Sequence, residues 1–152
     1  MNTGILDGER LALDTSSLIC HLDGTEDAAR AARHVVDDLV ASGKCDAVIS
    51  AATVAELLHH PLRLGRAAVD QMVGFLDSLE GLQIRSVDFL VAAEAARIRA
   101  KTGIPLPDAL VIATAVLTSS QVLVTNDRRM ADAARQAVPE LKVVLLSEVA
   151  AV

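Results

Sequence analysis

Short apolar runs alternate with longer segments of helical periodicity along nearly the whole chain, and this alternation restricts the fold more than any other feature. Apolar runs with the length of buried strands occur at residues 11–14, 47–50, 82–87, 122–125 and 142–146. Between them, as in 28–40, apolar residues recur at intervals of three and four, which is typical of amphipathic helices. Strands that alternate with helices form a parallel sheet covered on both faces. The sequence therefore predicts an α/β fold, a three-layer α/β/α sandwich with a mainly parallel central sheet, formed by residues 1–152 as a single domain.

Composition supports one compact domain with a large apolar core. The chain has 152 residues, and 52% of them are hydrophobic, which is enough to bury a substantial core. No uninterrupted apolar stretch reaches the length of about 18 residues that a membrane span needs. The amino terminus carries Asp7, Glu9 and Arg10 instead of a basic and then apolar leader. We therefore expect a cytoplasmic protein with no membrane contact, in which Cys20 and Cys45 are reduced thiols.

Two of the predicted strands deliver an aspartate at their carboxyl ends. Asp14 closes the first apolar run, and Asp127 follows the run at 122–125 after Thr125 and Asn126. In parallel α/β folds, ligands bind in the crevice outside the carboxyl ends of the strands. We therefore expect these two acids, although far apart in sequence, to lie near each other at one edge of the sheet.

Two further acids lie beside apolar helical segments. Asp108 follows Pro105 and Pro107, which predict an extended approach to a new helix, and 109–117 is apolar nearly all round, as in a buried helix. Glu56 lies within an apolar segment, where a buried carboxylate is costly unless it is paired or bound to a metal. Together with Asp14 and Asp127, these acids suggest a carboxylate cage for a divalent cation. Oxygen donors of this kind favour Mg²⁺ or Mn²⁺.

Each acid also has a simpler interpretation. Asp14, Asp108 and Asp127 can serve as helix N-caps, because a short side chain at that position accepts hydrogen bonds from free backbone N–H groups. Glu56 can lie on the exposed stripe of its helix, which is the usual position of a lone glutamate. Capping does not explain a glutamate within an apolar run, so the four acids together favour a site.

The order of these motifs resembles that of a PIN domain. The matching segments are Leu13-Asp14-Thr15-Ser16, Val54-Ala55-Glu56-Leu57, Leu106-Pro107-Asp108-Ala109-Leu110-Val111-Ile112-Ala113-Thr114-Ala115 and Leu123-Val124-Thr125-Asn126-Asp127. The resemblance covers nearly the whole chain, from about Leu11 to about Leu146. Within the family, the compact length resembles the VapC-like toxins of bacterial toxin–antitoxin pairs.

The resemblance implies a metal-dependent endoribonuclease, a hydrolase that acts on RNA phosphodiester bonds. The residues that match the catalytic, metal-binding acids of the family are Asp14, Glu56, Asp108 and Asp127. Ser16 and Thr125 match polar positions that line such sites, and their hydroxyl groups are expected to orient carboxylates or water. Asn126 is an additional candidate, as a neutral oxygen ligand.

The sequence departs from many relatives directly after the last acid. Those relatives carry a further acid and then an aromatic residue where this chain has Arg129 and Met130. The departure leaves open whether the site binds one metal ion or two. Arg129 is itself a candidate for contact with the scissile phosphate.

The net charge of the chain is opposite in sign to that of a typical nucleic-acid-binding protein. The formal net charge is −6, whereas RNA-binding domains present a basic surface. Several negative charges belong to the proposed ligands, and a bound divalent ion would invert the local potential. The arginines that we expect to contact RNA are Arg97, Arg99, Arg128 and Arg129, although solvated helix faces explain them equally simply. Phe75 and Phe89 are expected to pack in the core, so base stacking is not a main mode of binding.

Partners and alternatives follow from the same reasoning. A toxin would bind a cognate antitoxin, which would cover an apolar groove and insert a basic side chain into the acidic site. Apolar helix surfaces are expected to form a homodimer.

Two alternatives stay open, a PIN-like interaction module without catalysis and a housekeeping RNA-processing nuclease. A haloacid-dehalogenase-like phosphatase is disfavoured, because Ser16 occupies the position of its second acid.

Overall fold

A computed structural model describes residues 2–24 and 27–150. Its strands are β1 Arg10–Leu13, β2 Asp46–Ser50, β3 Leu82–Arg85, β4 Val122–Thr125 and β5 Lys142–Leu145. Its α-helices are α1 Thr15–Asp23, α2 Asp27–Arg33, α3 Ala51–Leu64, α4 Arg66–Ser78, α5 Phe89–Thr102, α6 Leu106–Leu117, α7 Arg128–Ala137 and α8 Leu146–Ala150. A π-helical segment, His34–Ala41, continues α2. The strands lie within two residues of their predicted bounds.

The strands form one sheet in the order β3-β2-β1-β4-β5. All four strand pairs are parallel, so the predicted α/β fold with a parallel central sheet is confirmed. The chain builds one half of the sheet outward from β1 and then returns to build the other half from β4. This reversal between β1 and β4 is the topological switch point, where α/β sheets open a crevice at the carboxyl ends of the strands.

The two faces of the sheet are covered by separate apolar cores. Successive side chains of a strand point to opposite faces. Leu11 and Leu13 of β1 therefore pack with α2 and the π-helical segment on one face. Ala12 packs with α5, α6 and α7 on the other face. The prediction that α6 is buried is confirmed, since its side chains from Ala109 to Ala115 lie mostly within this second core.

The expectation that both phenylalanines pack in the core is wrong for Phe89, which is 84% exposed. The buried stripe of α5 consists of Val91, Ala95 and Ile98. Phe89 lies two residues before Val91 and therefore points to roughly the opposite side of the helix. Phe75 is partly buried against the core, and its ring stacks on His21 with centroids 5.3 Å apart.

Among the described residues, no single helix is long and apolar enough to span a membrane. Helices α5 and α6 meet that criterion only as a pair, and the two are bent by 119° relative to each other.

Candidate metal centre

The carboxylate of Asp14 is buried and held by three hydrogen bonds at the end of β1. Its side chain is the N-cap of α1, where Oδ1 accepts from the Ser17 backbone N–H at 2.8 Å. Oδ2 accepts from the hydroxyl groups of Ser16 at 2.7 Å and Thr125 at 2.6 Å. Asp14 is only 2% exposed. The two hydroxyl groups expected to orient a carboxylate therefore both contact this one.

The same two hydroxyl groups connect Asp14 to the turn after β4. The backbone N–H of Asn126 donates to Ser16 Oγ at 2.8 Å, and that of Asp127 donates to Thr125 Oγ1 at 2.9 Å. Each hydroxyl oxygen accepts from a backbone N–H while its proton points to Asp14, and such a chain strengthens each bond within it. The carboxyl ends of the neighbouring strands β1 and β4 are thus fixed relative to each other.

Asp127 is the N-cap of α7. Its Oδ1 accepts from the backbone N–H groups of Arg129 at 2.9 Å and Met130 at 3.4 Å. The simpler interpretation, capping, is therefore correct for Asp14 and Asp127. Capping occupies only Oδ1 of Asp127, and within the described residues its Oδ2 has no hydrogen-bond partner. Capping and metal binding are therefore compatible for Asp127.

Asp108 does not open its helix as expected. Helix α6 begins two residues earlier, at Leu106, with Pro105 as its N-cap residue, and Asp108 lies within the first turn. A proline is tolerated in the first turn because its missing N–H would have no helical partner there. The two prolines therefore start the helix instead of delaying it. The Asp108 carboxylate makes no hydrogen bond to any described residue.

Glu56 is exposed, so the argument from its apolar neighbours to burial is wrong. The buried side chains of α3 are Thr53, Leu57 and Pro61, which recur every four residues and form a narrow stripe. Glu56 lies beside Leu57 of that stripe and is exposed to solvent. From this position its side chain nevertheless faces the other three acids.

All four predicted acids line one cavity of about 210 Å³. Its walls are formed by Asp14, Thr15, Ser16, Ile19, Glu56, Asp108, Val111, Asp127 and Met130. Sequence reasoning missed the apolar members Ile19, Val111 and Met130. A signal was present for two of them, because Val111 and Met130 each lie three residues after a site acid, and such pairs share one face of a helix.

The cavity concentrates negative charge. Burial raises the pKa of Asp14, while hydrogen bonds from Thr125, Ser16 and Ser17 lower it. Burial also raises the pKa of Asp108, and the negative charges of Asp127, Glu56 and Asp14 raise it further. The positive charge of Arg129 acts in the opposite direction. The carboxylates repel one another, and a bound cation would relieve that repulsion.

The donor set fits a small hard cation. Every polar side chain in the cavity offers oxygen, which suits Mg²⁺ or Mn²⁺. Within 2–24 and 27–150, no three His, Cys, Asp or Glu side chains stand in an arrangement that alone would hold a metal ion. Mg²⁺ keeps several waters and commonly uses one or two carboxylates together with a substrate phosphate. The residues therefore fit a hydrated ion with few direct protein ligands.

Asn126 does not join the cavity. Its Oδ1 is buried without a hydrogen-bond partner among the described residues, and its side chain is not part of the cavity wall. The expectation that it provides a neutral oxygen ligand therefore has no support from its position.

Three of the four arginines expected to contact RNA are engaged by neighbouring groups. Arg97 forms an ion pair with Glu94 at 2.6 Å. Arg99 Nε donates to the backbone carbonyl of Ile104 at 3.2 Å near the end of α5. Arg128 pairs with Glu148 at 3.1 Å. Arg129 differs, because its guanidinium has no hydrogen-bond or ion-pair partner among the described residues.

The fold is similar to those of several solved structures. FitAcB from Neisseria gonorrhoeae is 25% identical with a TM-score of 0.67, and the match covers 91% of this chain and 98% of that one. A toxin–antitoxin complex from Klebsiella pneumoniae has 21% identity, the same TM-score and the same coverage. DNA-bound VapBC from Salmonella typhimurium has 17% identity and a TM-score of 0.61, again with 91% and 98% of the two chains covered.

No curated protein matches the chain. The family model of the PIN domain matches residues 11–136, a span that includes all four acids of the cavity. This match extends over most of the sequence and over four of the five strands. The chain therefore belongs to the PIN domain family.

Proposed function

We propose that the protein is a divalent-metal-dependent endoribonuclease that hydrolyses RNA phosphodiester bonds with Mg²⁺ or Mn²⁺. The observation that carries the proposal is the convergence of four carboxylates on one cavity at the switch point of the sheet. Membership of the PIN family supports it, because the family resemblance implies this reaction for the same acids. Asp14, Asp108 and Asp127, with Glu56 at the rim, would hold the hydrated ion, in part through its bound waters.

The chain's own residues prepare the site for this chemistry. When bound, the ion would activate water for attack and neutralise charge on the scissile phosphate. Ser16 and Thr125 donate to Asp14 Oδ2, which stabilises the ionised carboxylate and offsets part of the rise in its pKa that burial causes. Ile19, Val111 and Met130 line the cavity with apolar surface and so limit bulk water around the reacting groups.

We further propose that this nuclease is the toxin of a toxin–antitoxin pair. Support comes from the structural relatives, which include a toxin–antitoxin complex, DNA-bound VapBC and FitAB bound to a DNA fragment. Ile19 is 45% exposed and also lines the acid cavity, and Leu22 on the same helix is 40% exposed. An antitoxin segment that covers this apolar surface of α1 would be able to extend a basic side chain to the acids.

A homodimer is the second proposed assembly. Phe89 is 84% exposed and Leu90 is 61% exposed at the start of α5, and neighbouring apolar side chains are normally covered by a partner. We expect Phe89→Ser to shift a dimer towards the monomer in size-exclusion chromatography with light scattering. A monomeric wild type at micromolar concentration would contradict the dimer.

The test of the nuclease is cleavage of a mixed cellular RNA pool by purified protein with Mn²⁺, Mg²⁺ or EDTA. Asp14→Asn and Asp108→Asn keep the side-chain shape and remove the charge of a site acid. Asp77→Asn on exposed α4 is the matched control, because it removes the same charge outside the cavity. Cuts that need metal, disappear in both site variants and persist in the control would support the proposal. Equal behaviour of all proteins would favour a PIN-like module without catalysis.

A further inference from the structure

A second cavity, of about 280 Å³, lies beside the first turn of α7. Helix α7 contributes Arg129, Asp132 and Gln136 to its wall, and these positions share one helix face. The opposite wall comes from Thr102, Gly103 and Ile104, in the connection between α5 and α6. The same turn of α7 also supplies the acid cavity, through Asp127 and Met130. The two cavities are therefore adjacent and share one helical turn as a boundary.

Arg129 is the cation at this boundary. Its side chain lines the second cavity, while its charge is felt by Asp108 in the first. Arg97, Arg99 and Arg128 already bind protein groups. No described residue binds the Arg129 guanidinium, so all its N–H donors are available to a ligand. A guanidinium matches the geometry of a phosphate and binds it through two parallel hydrogen bonds.

RNA that reaches the acid cavity needs such a group. The chain carries a net charge of −6, and four carboxylates line the cavity in which the proposed reaction would place the scissile phosphate. A bound metal ion would compensate charge at that phosphate but not at its neighbours along the strand. Asp132, the acidic member of the second cavity, pairs with Arg135 at 3.6 Å, which reduces its repulsion of an anion.

The walls of the second cavity favour contact with the RNA backbone over contact with bases. Phe75 and Phe89 are the only aromatic residues of the chain, and neither lines this cavity. Base stacking on an aromatic side chain is therefore unavailable here. Gly103 leaves bare backbone at the wall, and a side chain added there would meet no atom within 4 Å. An extended RNA strand would therefore have open access to the cavity at Gly103.

We propose that Arg129 binds the backbone phosphate next to the scissile linkage and that the second cavity holds the nucleotide on that side. This proposal rests on the proposed nuclease function, because that function defines which phosphate is the scissile one. It makes Arg129 a substrate-binding residue, and the contact is independent of base sequence.

The pair Arg129→Ala and Arg30→Ala tests this assignment. Both variants remove one positive charge, but Arg30 lies on α2, pairs with Asp27 at 3.3 Å and lines neither cavity. We expect Arg129→Ala to raise KM about tenfold, with little change in kcat. The slope of the logarithm of the RNA-binding constant against the logarithm of salt concentration should become shallower by about 0.7. Arg129→Lys keeps the charge and should recover about half of the lost affinity on a logarithmic scale. Arg30→Ala should stay within about twofold of the wild type.

A modified substrate locates the contact. In an RNA oligonucleotide that the wild type cleaves, a single neutral methylphosphonate replaces the phosphate on one side of the cut or on the other. One of the two replacements should weaken wild-type binding and have no further effect on Arg129→Ala. Equal losses in wild type and Arg129→Ala at both positions would overturn the proposal, as would equal effects of Arg30→Ala and Arg129→Ala on KM and salt slope.

Binding and cleavage together separate this inference from the nuclease proposal. Binding is measured in EDTA with a fluorescent single-stranded RNA of mixed sequence, and cleavage is measured with Mn²⁺. Metal-dependent cleavage with unchanged KM in Arg129→Ala would leave the nuclease standing and remove the Arg129 contact. Binding that depends on Arg129, without cleavage by the wild type under any metal, would keep the contact and remove the nuclease.

Discussion

At the scale of single residues, Asp14 combines two properties that normally oppose each other. It is buried, which favours the protonated acid, and it accepts three hydrogen bonds, which favour the carboxylate. Thr125 and Ser16 are therefore part of the site, although neither needs to contact an ion. Their hydroxyl groups orient the Asp14 carboxylate and lower its pKa against the effect of burial.

Thr125→Val removes one of these hydroxyl groups while it keeps the side-chain shape. We expect the pKa of Asp14 to rise further, because the bond from Thr125 lowers it, and cleavage at neutral pH to fall by about tenfold. Folding should lose about 1–2 kcal/mol, because the Asp127 N–H also loses its acceptor. Thr114→Val is the control, since this buried hydroxyl donates only to the Leu110 carbonyl of its own helix. Equal activity of both variants across the pH range would contradict the role of Thr125.

The pH dependence of cleavage follows from the direction of two pKa values. The pKa values of Asp14 and Asp108 are raised. Both groups therefore keep their protons to a higher pH than an ordinary aspartate, whose pKa is about 3.9. A proton must leave before the oxygen binds a cation, so kcat/KM at fixed Mn²⁺ should still increase with pH above the range in which exposed carboxylates titrate. A rate that is already maximal at about pH 5 would contradict this expectation.

At the scale of secondary-structure elements, the strands and their order along the chain were predictable, while several side-chain positions were not. The apolar runs that became β1 and β4 are buried on both faces, and that environment leaves a strong sequence pattern. The start of α6 was mispredicted because prolines permit a helix to begin as well as to end. The exposure of Glu56 and Phe89 depends on which stripe of a helix meets the sheet. Neighbours in sequence do not determine that contact.

The packing of α1 against α2 depends on Gly24. A Cβ built there would lie 2.2 Å from the Cys20 carbonyl oxygen and 2.4 Å from Ala29 Cβ. We expect Gly24→Ala to lower the free energy of unfolding by about 2 kcal/mol, because neither backbone nor buried alanine moves cheaply. Gly74→Ala, within exposed α4 and with no atom within 4 Å, should raise it by about 0.5–1 kcal/mol. Chemical denaturation measures both, and equal effects of the two substitutions would contradict the close approach.

At the scale of the whole molecule, the sheet order explains how acids from distant parts of the sequence meet. The reversal between β1 and β4 puts Asp14 and Asp127 at adjoining strand ends, and α3 and α6 bring Glu56 and Asp108 to the same cavity. This much was predictable from a parallel sheet with acids after its strands. The part of the wall formed by Ile19 and the second cavity were not, since they depend on how the helices pack.

The stability of the folded protein should reflect the crowding of these charges. The pKa of Asp108 is higher in the folded protein than in the unfolded chain. Protonation of this acid therefore favours folding. The resulting stabilisation is complete when the pH is below the unfolded pKa, and it is lost as the pH rises through the folded pKa. At neutral pH and without metal, Asp108→Asn should therefore stabilise the protein by about 1 kcal/mol, a rise of about 2–4 °C in Tm. Asp77→Asn should leave Tm nearly unchanged. A lower Tm for Asp108→Asn in EDTA would show that the acid does not crowd its neighbours.

Direct titration with Mn²⁺, followed by electron paramagnetic resonance of the free ion, tests the central claim that the four acids form a cation site. We expect saturable binding by the wild type, at least tenfold weaker binding by Asp14→Asn and Asp108→Asn, and wild-type affinity in Asp77→Asn. The factor of ten reflects the loss of one ligand charge, worth about 1.4 kcal/mol or more. Equal Mn²⁺ affinity in all four proteins would contradict the claim, because the ion would then be bound elsewhere or not at all.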